Sequence, residues 1–159
     1  MIRVRINVRG IVQGVGFRPF IHRLVREYHF SGWVRNTSFG AELELEGEKS
    51  RLTQFAEAIK SVHPALAVVE SVEVSELSGL NHYNGFKIAE SKGSAVMQTL
   101  VSPDVAVCQD CLDEMRDPGD RRYRYPFINC TNCGPRFTLI KSVPYDRAAT
   151  SMAAFPMCS

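Results

Sequence analysis

The chain has 159 residues, 45% of them hydrophobic and 23% charged, a globular composition that excludes collagen-like, low-complexity and disordered classes. Nineteen Lys and Arg against seventeen Asp and Glu leave a formal charge of +2, too weak a field to gather nucleic acid or an anionic membrane over distance. No stretch reaches the roughly 18 apolar residues of a membrane span. Met1-Ile2-Arg3-Val4-Arg5 also lacks the apolar core of a secretion signal, so the sequence reads as cytoplasmic, with neither nucleic acid nor membrane as partner.

Residue types divide the chain in two. The acids up to Ser91 are all glutamates and those after it are mostly aspartates, while all five cysteines, at 108, 111, 130, 133 and 158, lie in the second part. The small polar stretch Ser91-Lys92-Gly93-Ser94-Ala95 has the composition of a linker. The expected organisation is a first domain over 1–91, a linker over 92–95 and a second region over 96–159.

In the first domain, Ile2, Val4, Ile6 and Val8 alternate with Arg3, Arg5, Asn7 and Arg9, the pattern of a strand with one buried face. Pro19 at a first helical position, followed by Phe20, Ile21, Leu24, Val25 and Tyr28, predicts a helix to about His29. Residues 32–38 and 41–46 read as two strands around a tight turn at Phe39-Gly40, with Leu43 and Leu45 inward and the glutamates outward. Leu52, Phe55, Ala56, Ile59 and Val62 mark a second helix, ended by His63-Pro64. Val72 and Val74 alternate within a strand over 68–77, and a short strand over 86–89 follows a polar turn at 81–85. This βαββαβ order predicts an α+β, ferredoxin-like sandwich with the first strand beside the strand at 41–46 in the sheet centre.

Gly10-Ile11-Val12-Gln13-Gly14-Val15-Gly16-Phe17-Arg18-Pro19 lies between the first strand and the first helix. Backbone amides at a helix start converge there on the space before them, so residues 13–18 form an anion cradle by position. Gly14 and Gly16 allow positive φ and close approach of a ligand, while Pro19 is expected to hold Arg18 extended. A cation at a helix N-terminus opposes the macrodipole at a cost of about 0.3–1 kcal/mol. Arg18 therefore makes sense where an anion lies between it and the amides. The plain alternative is a glycine-rich turn. Neither a nucleotide P-loop nor a dinucleotide fingerprint is present, since G-x-x-x-x-G-K-[ST] is missing and Pro19 stands where a third glycine would be.

In the second region, Cys108-x-x-Cys111 and Cys130-x-x-Cys133 have the spacing of a four-thiolate zinc site, closed and structural, in a segment with too little apolar core to fold well alone. Iron could occupy the same ligands, and two disulfides are the third possibility. Between the pairs, Arg121, Arg122 and Arg124 alternate with Tyr123 and Tyr125. Asp110, Asp113, Glu114, Asp117 and Asp120 offset these arginines, and the aromatics are expected to pack around the metal knuckles. The four histidines, His22, His29, His63 and His82, show no metal spacing.

Gly10-x-Val12-Gln13-Gly14-Val15-x-Phe17-Arg18, followed by Gly32-Trp33-Val34-x-Asn36, resembles the acylphosphatase family over Ile2 to about Ser91. The resemblance implies metal-free hydrolysis of acyl phosphates. Arg18 and the loop of Gln13, Gly14, Val15, Gly16 and Phe17 would bind the phosphate, and Asn36 would orient the attacking water. Phe39-Gly40 departs from the Asp-Gly common in that family's turn.

The run from Cys108 through Tyr123-Arg124-Tyr125-Pro126-Phe127 to Cys130-Thr-Asn-Cys133-Gly-Pro-Arg-Phe-Thr, behind such a domain, resembles the N-terminal part of the carbamoyltransferases that mature nickel-iron hydrogenases. That resemblance implies carbamoyl phosphate as substrate and, through further domains, a hydrogenase-maturation acceptor protein. It also implies that a second finger, cut off here, would begin near Cys158. The alternatives are a stand-alone acylphosphatase and a non-catalytic anion- and partner-binding zinc module.

Overall fold

The computed structural model describes residues 1–92, 105–126, 128, 130, 133, 139–142 and 146–154. Its elements in chain order are β1 (Ile2–Ile11), α1 (Phe17–Tyr28), β2 (Ser31–Thr37), β3 (Gly40–Gly47), α2 (Lys49–Ser61), β4 (Val68–Leu77), β5 (Phe86–Ile88) and α3 (Gln109–Arg116), with a 3-10 turn over Arg147–Ala149. The sheet runs β4-β1-β3-β2-β5 and is antiparallel apart from the β2–β5 pair. No helix among the described residues is long and apolar enough to cross a membrane.

The alternation in β1 becomes a one-sided core because its register with β3 sets Ile6 opposite Leu43 and Val4 opposite Leu45. Those residues and Val34 are buried together with Phe20, Ile21 and Val25 of α1 and Leu52, Phe55 and Ile59 of α2, so both helices cover one face of the sheet. Phe55 meets Tyr28 and Phe30 edge-on, at ring-centroid distances of 5.4 and 5.5 Å. The ferredoxin-like α+β sandwich expected from the sequence is the fold observed.

Five local expectations are corrected. The first helix begins at Phe17, so Arg18 is helical rather than extended. Pro19 is tolerated within the first turn because the N–H it lacks would have no intrahelical partner there. The turn between β2 and β3 consists of Ser38 and Phe39, with Gly40 already paired to Thr37. Val62 lies beyond α2 and is 62% exposed. Val74 is exposed as well, because β4 is an edge strand.

The outward glutamates are the fifth correction. Glu44 and Glu46 are each only 4% exposed, because the segment before β5 folds over them. Glu46 accepts hydrogen bonds from the backbone N–H groups of Asn81, His82 and Tyr83. Glu44 accepts from the Tyr83 hydroxyl, from Asn81 Nδ2 at 3.2 Å and from Arg5 Nη2 at 2.9 Å.

Candidate functional site

The loop from β1 to α1 is fixed at both levels of structure. Gly14 and Gly16 take left-handed φ of 73° and 77°, with Gly16 as the helix N-cap, so this chain reversal depends on glycine. Val12, Val15 and Phe17 are buried in the core. Between them, buried Gln13 donates from Nε2 to the carbonyls of Thr37 at 2.7 Å and Gly40 at 2.8 Å. The Gln13 side chain thus staples the loop to the β2–β3 turn. This staple was not legible from the loop sequence alone.

Asn36 lies on β2 just before that turn. It is buried near the end of β2, opposite Ala41 of β3, and its carbonyl accepts the Lys92 N–H at 2.9 Å. Asn36 makes other polar contacts, while its buried Oδ1 takes no hydrogen bond. Phe39 is exposed at the turn and donates its N–H to Thr37 Oγ1 at 3.2 Å. Gly40 is required here: at φ 140°, a Cβ would stand 2.1 Å from the Val8 carbonyl oxygen.

Arg18 lies in the first turn of α1, its side chain 22% exposed, with Nη1 2.8 Å from Asp146 Oδ1. These two residues, with Ile88, Ala89, Glu90 and Ser91, line an open cleft of about 410 Å³. The strand-like tail after β5 forms its wall, running beside β2 as far as the Lys92–Thr37 bridge at Asn36. The fold therefore gathers Arg18, the 13–18 loop and Asn36 at one end of the sheet. Asp146 was missed by sequence reading, because nothing in its local sequence points to Arg18.

The four cysteines form a second constellation. Cys108 is the N-cap of α3, Cys111 lies in its first turn, and Cys130 and Cys133 approach from beyond it, all four Sγ atoms lying within 4.8 Å of one another. A tetrahedral zinc with Zn–S bonds near 2.3 Å needs sulfurs about 3.8 Å apart, and Cys108 and Cys130 lie 3.5 Å apart, so the donor set fits the ion. Burial pushes the Cys111 thiol above its ordinary range. Burial also acts to raise Cys133, but hydrogen bonds, foremost from the Cys130 backbone N–H, bring it down to about 7. Val105, Val107, Met115 and Ile128 pack around the cluster. The tyrosines expected there do not: Tyr123 and Tyr125 are exposed, and Arg124 lies over the Tyr123 ring instead. The expected Arg offset is present as Arg122–Glu114. Phe127 and Cys158 lie outside the described residues.

The acylphosphatase family profile matches residues 4–88, and the HypF finger profile matches residues 107–140. Carbamoyltransferase HypF2 of Cupriavidus necator is 50% identical over 99% of this chain, which covers 20% of that protein. An acylphosphatase of Caldivirga maquilingensis is 42% identical over 55% of this chain and 93% of its own length. A crystal structure of full-length HypF in a phosphate- and nucleotide-bound form superposes with a TM-score of 0.92 at 51% identity, covering 99% of this chain and 21% of that one. The chain thus spans about a fifth of the length of the carbamoyltransferases it matches. Its first domain belongs to the acylphosphatase family and, with the HypF zinc finger behind it, the chain corresponds to the N-terminal part of the HypF carbamoyltransferases.

Proposed function

We propose that the first domain hydrolyses an acyl phosphate, with carbamoyl phosphate as its substrate, and that residues 96–159 form a finger folded around one structural zinc bound by Cys108, Cys111, Cys130 and Cys133. The observation that carries this reading is the Gln13 staple, which fixes the 13–18 loop against Thr37 and Gly40, the residues flanking the turn at the end of the strand that carries Asn36. It supports placing a phosphate-binding helix start and a water-orienting amide in one site.

The reaction asks for positioning and charge stabilisation more than for a strong base. The guanidinium of Arg18 and the backbone N–H groups of the loop bind the phosphoryl oxygens and hold them as negative charge redistributes. Asn36 orients a water in line with the bond to the acyl oxygen. The water oxygen joins phosphorus, the P–O bond to the acyl group breaks, and carbamate leaves with the bonding electrons; the water's surplus proton passes to solvent. Within a longer protein, this step would precede carbamoyl transfer, the activity the relatives' names carry, with a hydrogenase-maturation protein as the acceptor that the sequence resemblance implies.

Phosphate release from carbamoyl phosphate and from acetyl phosphate, measured side by side on this chain, tests the reading. Turnover of carbamoyl phosphate is expected. Saturable phosphate binding without release would overturn hydrolysis in favour of an anion-binding module.

A further inference from the structure

We propose that Asp146 is a positioning residue for the acyl-phosphate site, acting through Arg18: the finger region supplies the carboxylate that sets the guanidinium in place. This rests on the phosphate-binding reading of Arg18. A long arginine side chain loses about 2 kcal/mol of rotamer entropy when it is fixed, and at a helix N-terminus the macrodipole pushes it away. The first turn of α1 contains no acidic residue to offset this. The carboxylate comes instead from far along the chain, with Asp146 Oδ1 2.8 Å from Arg18 Nη1 at the rim of the shared cleft.

The backbone around Asp146 suits that task. Its carbonyl accepts the Ala149 N–H at 2.8 Å, closing the 3-10 turn. The Ala149 carbonyl in turn accepts from Lys141 at 2.9 Å and Ser142 at 3.3 Å, and buried Thr150 pairs with Ile140. The carboxylate therefore stands on a braced turn. A guanidinium oriented before the anion arrives loses less freedom on binding it.

The test is a double-mutant cycle on the full chain, using wild type, Asp146→Asn, Arg18→Lys and the double variant. It reads inorganic phosphate affinity by calorimetry alongside kcat and KM on acetyl phosphate. Asp146→Asn is expected to weaken phosphate binding about tenfold, raising KM, and to have less than a twofold effect in the Arg18→Lys background. Asp146→Glu should recover part of the loss, with zinc content unchanged throughout. Tighter phosphate binding in Asp146→Asn would show that the carboxylate competes with the anion, and equal losses in both backgrounds would show mere docking of the finger; either overturns the proposal. If phosphate binds and the cycle couples but nothing turns over, hydrolysis fails while the role of Asp146 stands. A wild-type chain that binds no phosphate overturns both.

Discussion

The two regions are held together by different forces. The first builds its core from aliphatic and aromatic side chains drawn from both helices and the inner face of the sheet, each fully buried large side chain contributing about 1.5–3 kcal/mol. Among the described residues of the second, the buried cluster is Cys111, Ile128 and Cys133. That cluster is built around the four-cysteine site itself, and structural zinc adds about 10–16 kcal/mol in comparable fingers. The difference teaches where precision can be built. A stapled loop on a packed sheet can carry a binding site, while the finger can lend it a braced carboxylate.

The sharpest break in this comparison comes from the metal. Cys108→Ser, or removal of zinc by a chelator, should abolish hydrogen-exchange protection in α3 and leave β1 and β3 protected, and metal analysis should find one zinc per chain. Protection of α3 that survives demetallation would mean the finger has a sufficient core of its own. Where the finger unfolds, hydrolysis should fall to the level of Asp146→Asn, without being abolished. Next in size is the site itself. Arg18→Lys is expected to lower kcat by about 10²–10³-fold, because an ammonium cannot reproduce the guanidinium fork. Asn36→Ala should lower kcat more than it raises KM. Steady-state phosphate release measures both, and near-normal turnover in Arg18→Lys would remove the site from this loop.

What could be read from the sequence was local or periodic. The alternation of β1, the stripe of α1 and the paired C-x-x-C motifs follow from the side-chain geometry of strands, helices and a tetrahedral ion. What could not be read came from distant partners. Glu44 and Glu46 have the spacing of solvated residues, and only the segment carrying Asn81, His82 and Tyr83 makes them buried. The contact of Asp146 with Arg18 is of the same kind. The missed helix α3 did have a signal: Cys111 and Met115 lie four residues apart, and Asp117-Pro118 stops the turn.

A smaller effect sharpens the comparison from within the first region. Gln13→Ala leaves two carbonyls without the donor they share, at a cost of about 1–3 kcal/mol, and should raise KM by loosening the loop. Gln13→Glu should cost at least as much, since it turns an acceptor toward the Thr37 and Gly40 carbonyls. Urea midpoints of the three proteins decide this. A stable Gln13→Glu would show that the loop is held by its buried valines and Phe17 alone.

The smallest predicted effect concerns the polar face of the sheet. Burial acts to raise the Glu44 carboxyl, but the Tyr83 hydroxyl, Arg5 and Arg3 outweigh it and hold the group below its ordinary value. A carboxyl depressed in the folded state contributes stability that is complete above its unfolded value, about 4.3, and is lost as pH falls through the folded one. Glu44→Gln should therefore cost about 1 kcal/mol at pH 7, a modest sum because Arg5 remains partly in solvent. The gap should close as the pH drops below the ordinary carboxylate range. Urea unfolding of wild type and variant at neutral and acid pH reads the difference directly. A gap of constant size would assign the effect to packing of the Asn81–Tyr83 cover rather than to charge, leaving the sheet's polar face held together in the same way as its apolar one.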